Sequence, residues 1–250
     1  MKKLFLLSFL VFSINTYAQI SLMEFKMVSD AFHEVFSEEL KQRNSTLYIN
    51  RPPAPQLPNY WWDLDVVHAS YTSFSDESGT DHNLYLFGGY ARMEGMTMDG
   101  VAMTLCHELG HGIGGYPMKN KDPLDYPAST EGQSDYYAAR HCIKRIFKVL
   151  PESAPVLAPT PYTEELCLKH FNTDEDIYLC HRGFQTLEVE KIFLRTQVQE
   201  GQDVDYDTPD TSVVTKMDLS PTFYPSAQCR LDTMVAGILE QERPRCWWAP

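Results

Sequence analysis

The motif His107-Glu108-Leu109-Gly110-His111 constrains this chain more than any other feature of its sequence. Histidines four residues apart lie on one face of a helix, one turn apart, so their imidazoles can bind a single metal ion. Glu108 is not a ligand in this pattern. Its position directly after His107 suits it to hold a metal-bound water and take its proton. The motif therefore predicts a helix at a metal site that still needs a third ligand.

Glu131 is the predicted third ligand, 20 positions after His111 in the segment Glu131-Gly-Gln-Ser-Asp135. A helix beginning near residue 129 or 130 places Glu131 and Asp135 on one face. Two histidines and one carboxylate leave the fourth position of a zinc site open for water, as catalytic zinc requires. Asp135 can accept the ring N–H of a ligand histidine and so orient it. The predicted site thus contains one Zn²⁺, three ligands and a general base: His107, His111, Glu131 and Glu108.

These motifs resemble, in order and spacing, those of the gluzincin (thermolysin-like) zinc metallopeptidases, over the segment from Leu105 to Tyr136. The resemblance implies an α+β, zincin-like fold with a small mixed sheet lobe, a two-helix zinc site and a mostly helical C-terminal lobe. It also implies hydrolysis of peptide bonds, with a peptide or protein as substrate. The segment from Asn83 to Tyr90 is expected to be the edge strand that pairs with extended substrate.

The chain departs from the family pattern in two places. Thr130 stands where the family commonly has asparagine, before the third ligand. The tyrosine and histidine that stabilise the oxyanion in the family have no clear match here. Residue type alone gives the candidates, each of which also fits an ordinary packing or surface role. The oxyanion candidates are Tyr126, Tyr224 and His181, and Tyr116 and His170 are two further candidates.

The same motif also fits other kinds of zinc site. Gly114 follows His111 at the spacing of the metzincin pattern, whose third ligand would then fall at Pro117. Because proline cannot bind zinc, the metzincin interpretation needs another third ligand, such as Asp122. A structural zinc site is usually closed by four protein ligands and would leave Glu108 without a role. The competing function from a different class is a secreted zinc-binding protein that retains the site without turnover.

The rest of the chain predicts a signal peptide followed by one domain. Residues 1–18 combine lysines, a short apolar run and a small-residue cleavage site, which is typical of secretion. Residues 19–250 are expected to form a sheet-containing lobe to about 115 and a helical lobe from about 116. Helices are predicted at 21–42, 99–111 with Asp99 as N-cap, 129–151 with Thr130 and Gln133 as a capping box, 183–199 and 226–241, and strands at 63–71 and 83–90.

Cysteines and charge indicate the compartment and exclude one class of partner. All six cysteines follow the signal peptide, and an even number without a CxxC pair suits disulfides in a secreted or periplasmic protein. The closest pairs are Cys167 with Cys180 and Cys229 with Cys246, among 15 possible pairings. Removing the signal leaves 19 basic against 34 acidic residues, a net charge of −15. We therefore expect no nucleic acid partner and, after signal cleavage, no membrane association.

Overall fold

The computed structural model describes residues 19–120, 127–152, 159–198 and 203–250. The predicted signal peptide lies outside these ranges, as do Tyr126 and Asp122. Within them, no helix has the length and apolar character needed to cross a membrane.

Helices dominate the described ranges. The first four are α1 (Leu22–Gln42), α2 (Tyr60–Asp63), α3 (Gly88–Ala91) and α4 (Met98–Ile113). After these come α5 (Glu131–Tyr137), a π-helical segment (Ala138–Cys142) and α6 (Ile143–Phe147), which form one continuous helical run. The last three are α7 (Pro161–His170), α8 (Asp174–Arg195) and α9 (Ala227–Ile238). Together with the sheet they make a mixed α+β fold, which confirms the predicted fold class at that level.

The amphipathic first helix is confirmed. Ser21 caps α1 through a capping box with Glu24, whose backbone N–H lies 3.2 Å from the Ser21 hydroxyl. Most apolar positions of the predicted helical pattern are buried in the core, including Phe25, Phe32 and Leu40, while Leu22 and Val35 are partly buried. The sequence pattern therefore located both the start and the buried face of this helix.

The sheet is small and mixed, with strands β1 (Ser45–Ile49), β2 (Ala69–Asp76) and β3 (Gly79–Leu86) in the order β1-β3-β2. β1 runs parallel to β3 and β2 runs antiparallel to it. The prediction that Asn83 to Tyr90 forms the edge strand is wrong. Asn83 lies in the central strand, because the unpredicted β1 covers its other side. The edge strand beside α4 is β2, which begins at Ala69, later than the predicted start at 63.

Several predicted helix boundaries also change. The N-cap of α4 is Thr97, whose hydroxyl accepts the backbone N–H of Gly100 at 3.1 Å, and not Asp99. Thr130 occupies the N-cap position of α5, but its side chain makes no capping bond there. α7 was not predicted, and α8 begins well before the predicted start at 183. Both have few apolar residues on a regular helical face, so their sequences give a weak signal.

The six cysteines form three disulfides. The predicted pairs Cys167–Cys180 and Cys229–Cys246 are confirmed. The third, between Cys106 and Cys142, ties α4 to the π-helical segment that follows α5. Three disulfides are typical of a protein that folds in an oxidising environment.

Candidate metal centre

The two helices of the predicted site pack closely at Gly110. A methyl group added there would lie 3.0 Å from the Cα of Ser134, so glycine allows α4 and α5 to approach. As a result, the predicted ligands from both helices converge. One ligand atom from each of His107, His111 and Glu131 lies within 4.8 Å of the other two, and all three residues are buried. This group can hold a metal ion.

The inner nitrogens of the two histidines are held by the protein. His107 Nδ1 donates to Asp135 Oδ1 at 2.7 Å, and His111 Nδ1 lies 2.9 Å from both the Ser129 carbonyl oxygen and Ser134 Oγ. The outer nitrogens therefore face Glu131, whose carboxylate oxygens lie 3.2 Å from His107 Nε2 and 3.6 Å from His111 Nε2. This is the orientation that metal-ligating histidines adopt, with the second nitrogen bonded to a carboxylate or carbonyl.

The donor set therefore fits a zinc ion. Two imidazole nitrogens and one carboxylate oxygen are ligands that zinc accepts, and three protein ligands leave a position for water or substrate. The predicted role of Asp135 as the partner of a ligand histidine agrees with its bond to His107. The rival metzincin ligand set does not gain support from the described residues, because Glu131 already completes a group at this position.

The two histidines of the site differ in their pKa. Although burial opposes it, the charge of Asp135 and the hydrogen bond to it raise the pKa of His107 to about 10. Burial lowers the pKa of His111 to about 4. Burial also opposes ionisation of Glu131, but the hydrogen bond from His107 and the nearby cationic groups hold its pKa far below the usual range. Lys119 Nζ is one of those groups, 2.7 Å from Glu131 Oε1.

Glu108 lies on the same helix, within the cavity that the ligands line. It is buried, with 6% of its surface exposed, and it forms no salt bridge among the described residues. Burial raises its pKa to about 7, partly offset by the charge of His107. A carboxylate with a pKa near neutrality suits proton transfer at neutral pH.

Arg230 is the main site residue that sequence reasoning missed. Its guanidinium forms a bidentate pair with Asp135, with Nε 2.8 Å from Oδ2 and Nη2 2.9 Å from Oδ1. Burial opposes ionisation of Asp135, but the charges of Arg230 and then His107 lower its pKa. A chain of charged contacts thus runs from Arg230 through Asp135 to His107. The only sequence signal was an arginine within the apolar helical pattern of residues 226–241.

Among the oxyanion candidates, Tyr224 is the one that the structure brings to this cavity. Partial burial, followed by the charge of Glu131 and a hydrogen bond to it, raises the pKa of Tyr224 to about 12. The guanidinium of Arg230 lies 5.8 Å from the centre of its ring. Tyr224 therefore lies close to the third ligand and presents a protonated hydroxyl at neutral pH.

The remaining candidates lie elsewhere or outside the described ranges. His181 lines a different cavity, between α7 and α8, and is not among the residues that line the cavity of the predicted ligands. His170 Nδ1 bonds to the Leu166 carbonyl within α7, and Tyr116 packs edge-on against Trp248. Tyr126 falls outside the described residues. Residue type alone could not separate these from Tyr224, because each depends on long-range packing.

The cavity in front of the ligands has a volume of about 420 Å³. One side is formed by the start of β2, at Ala69, Ser70 and Tyr71, and by the two residues before it. Within the described residues, β2 pairs only with β3. It is therefore an edge strand of the sheet, and it lies beside the predicted ligands. The cavity is also lined by α8, α4 and α3, through Glu190, Phe193, Met103, Thr104 and Tyr90. We call this part its deep end, because four of these five residues, all but Phe193, are buried.

Comparisons with protein-family profiles, with curated proteins and with solved structures found no significant match for this chain.

Proposed function

We propose that this chain is a zinc-dependent peptidase of the gluzincin type that acts outside the cytoplasm. The observation that supports it most is the buried group His107, His111 and Glu131, whose ligand atoms converge beside Glu108 in an open cavity. A site kept only for structure would need neither the cavity nor the buried Glu108. The three disulfides support an oxidising compartment.

Zinc bound by these residues would polarise a peptide carbonyl and lower the pKa of a water molecule. Glu108 then takes the proton of the attacking water and passes it to the leaving amine. Asp135 and the Ser129 carbonyl hold the Nδ1 protons of the two histidines, so that both Nε2 atoms remain available as ligands. The chain therefore supplies a preoriented set of ligands and one proton carrier.

Substrate would bind as an extended strand along the outer edge of β2. Main-chain hydrogen bonds to an edge strand give affinity without demanding a particular sequence, while side-chain pockets give specificity. Tyr224 lies on the cavity wall next to Glu131 and is the group that we assign to oxyanion stabilisation, because its hydroxyl is protonated at neutral pH.

The test is Glu108→Gln, with Glu188→Gln as its control. Glu188 lies on α8 and does not line the catalytic cavity, so its amide variant reports the effect of losing a carboxylate elsewhere. Glu108→Gln should keep one zinc per chain, measured by elemental analysis. Its kcat/KM on a peptide library should fall by about 100- to 10,000-fold, the contribution of general base catalysis.

Two results would contradict the proposal in different ways. A Glu108→Gln protein as active as the wild type would exclude Glu108 as the general base. A zinc-loaded wild-type protein that cleaves no peptide in the library would favour the non-catalytic zinc-binding protein.

A further inference from the structure

One buried carboxylate in the catalytic cavity has no role in the proposed mechanism. Glu190 on α8 is 5% exposed and lines the same cavity as His107 and Glu108. Its Oε1 atom is buried and accepts no hydrogen bond from the residues that the structure describes. Leaving a buried polar group unpaired costs free energy, and more when the group is charged. Such a group at the end of a substrate cavity is expected to meet its partner in the substrate.

The cations near Glu190 are already engaged with other partners. Arg230 is the nearby cation, but its guanidinium is committed to Asp135 by two hydrogen bonds. Lys191, the next residue in the chain, bonds to Asp205 Oδ1 at 2.9 Å. Thr104 Oγ1 lies 3.1 Å from both Tyr90 Oη and the Gly100 carbonyl oxygen, and a hydrogen bond with Thr104 lowers the pKa of Glu190, but Oε1 of Glu190 accepts none. The deep end of the cavity therefore holds a carboxylate that forms no salt bridge among the described residues and has one oxygen without a hydrogen-bond partner.

The distance from the metal ligands suits one substrate side chain. Thr104, which lines the deep end beside Glu190, precedes His107 by three residues and Glu108 by four on α4. Positions three and four apart on a helix are neighbours, about 5–6 Å apart. A side chain next to the scissile bond can therefore reach the deep end if it is long and unbranched.

Apolar walls and an acidic end match the chemistry of a long cationic side chain. Met103 and Phe193 line the same cavity as the predicted metal ligands and Glu190, and Tyr90 adds a buried ring. The methylene stem of lysine or arginine packs on such surfaces while its charged tip seeks an anion. A charge-assisted hydrogen bond to Glu190 would also satisfy the carboxylate oxygen that is now unpaired.

We propose that Glu190 determines specificity, and that the cavity takes a lysine or arginine side chain of the substrate next to the scissile bond. The inference rests on the proposed peptidase function and names its substrate class. Glu190 acts by pairing with the substrate and takes no part in the transfer of protons at the scissile bond.

The experiment uses peptides that differ only in the residues flanking the scissile bond. Lysine, arginine, glutamine, norleucine and glutamate are compared, because norleucine has the stem of lysine without its ammonium group. At pH 8 the zinc-loaded wild type should favour lysine over norleucine in kcat/KM by at least about 30-fold, the scale of losing one partner of a buried charge pair. Glu190→Gln should bring this ratio close to one or below it, whereas Glu188→Gln should leave it unchanged.

Failure of this inference and failure of the peptidase proposal give different results. A wild type that cleaves peptides but prefers norleucine, glutamine or glutamate would overturn the specificity while leaving the peptidase intact. A Glu190→Gln protein that keeps the lysine preference would do the same. A wild type that cleaves nothing contradicts the peptidase itself.

Folding of the variant is checked separately by zinc content and circular dichroism. If Glu190→Gln does not fold, Glu190→Asp provides the second test, because it keeps the charge on a shorter side chain. We expect Glu190→Asp to prefer cationic residues still, with the preference shifted from lysine towards the longer arginine. A preference for norleucine in this variant would also overturn the inference.

Discussion

The two ends of the cavity that His107 and Glu190 line satisfy their buried polar groups in opposite ways. At the ligand end, both histidines have their Nδ1 atoms bonded to the protein and both Nε2 atoms within 3.6 Å of Glu131. At the deep end, Glu190 keeps an oxygen with no partner among the described residues. The ligand end is thus organised by the fold itself, while the deep end is completed by what binds there. His107, His111 and Glu131 therefore build the site together with their protein partners, whereas Glu190 is the residue that we expect to select substrates.

The largest expected effect comes from removing a ligand. Glu131→Ala leaves two of three protein ligands, and zinc sites derive about 10–16 kcal/mol from a full set. We expect zinc affinity to fall by at least about 100-fold and peptide cleavage to disappear, measured by competition with a chromogenic chelator. Glu190→Gln is the control from the deep end and should bind zinc like the wild type. Equal affinities in Glu131→Ala and the wild type would place the third ligand elsewhere.

A smaller effect is expected behind the ligands, at Arg230. Arg230→Met leaves Asp135 buried without its arginine partner, with only the hydrogen bond from His107, which should cost about 3–5 kcal/mol in the free energy of unfolding. Because Asp135 also orients His107, zinc affinity should fall about 10- to 100-fold.

Arg182 provides a matched control for Arg230. It is 2% exposed and forms its own bidentate pair with Asp99, away from the ligands. Arg182→Met should lower the stability to urea by a similar amount while leaving zinc affinity unchanged. If both variants lost zinc equally, Arg230 would act only through the stability of the fold.

The smallest expected effect is a pH dependence of specificity. Burial, opposed by the charge of Arg230 and supported by that of Asp135, raises the pKa of Glu190 to about 7. Because the pKa is raised, the carboxyl is neutral below this value and ionised above it. The ratio of kcat/KM for lysine over norleucine peptides should therefore rise about tenfold between pH 6 and 8.

The ratio of kcat/KM for lysine over norleucine peptides reports the ionisation of Glu190 and not that of the other titrating groups of the cavity. Glu108 and His107 act on both peptides alike, so their ionisation cancels, while Arg230 and Asp135 stay charged across this range. In Glu190→Gln the ratio should not change with pH. A wild-type ratio that stays constant from pH 6 to 8 would show that the charge of Glu190 does not select the substrate.

The sequence predicted the parts of the site that are local in the chain. The spacing of His107 and His111 and that of Glu131 and Asp135 each fall within one helix, where four residues make about one turn. The convergence of these pairs needed only one loop between two helices. The signal for α1 was equally local, because its apolar residues recur at helical spacing.

Features that depend on distant pairing could not be predicted in this way. The order of the strands was wrong because β1 inserts beside β3, and a short strand without regular alternation gives little sign of its partner. Arg230 reaches Asp135 across 95 positions of the chain, and Glu190 shares a cavity with His107 only after α8 packs on α4. Composition and spacing contain no record of such contacts.

The disulfides bear on the order of folding and metal binding that we expect at the proposed site. Cys106 directly precedes His107, and its bond to Cys142 joins the ligand helix α4 to the helical run that contains Glu131. The bond between Cys229 and Cys246 holds Trp247 against Gly132 in α5, beside the same ligand. Ligand positions are therefore fixed by covalent links that need no ion. We expect the chain to fold first and to bind the metal ion afterwards. A chelator should therefore remove the metal reversibly and leave a folded, metal-free protein that binds zinc again.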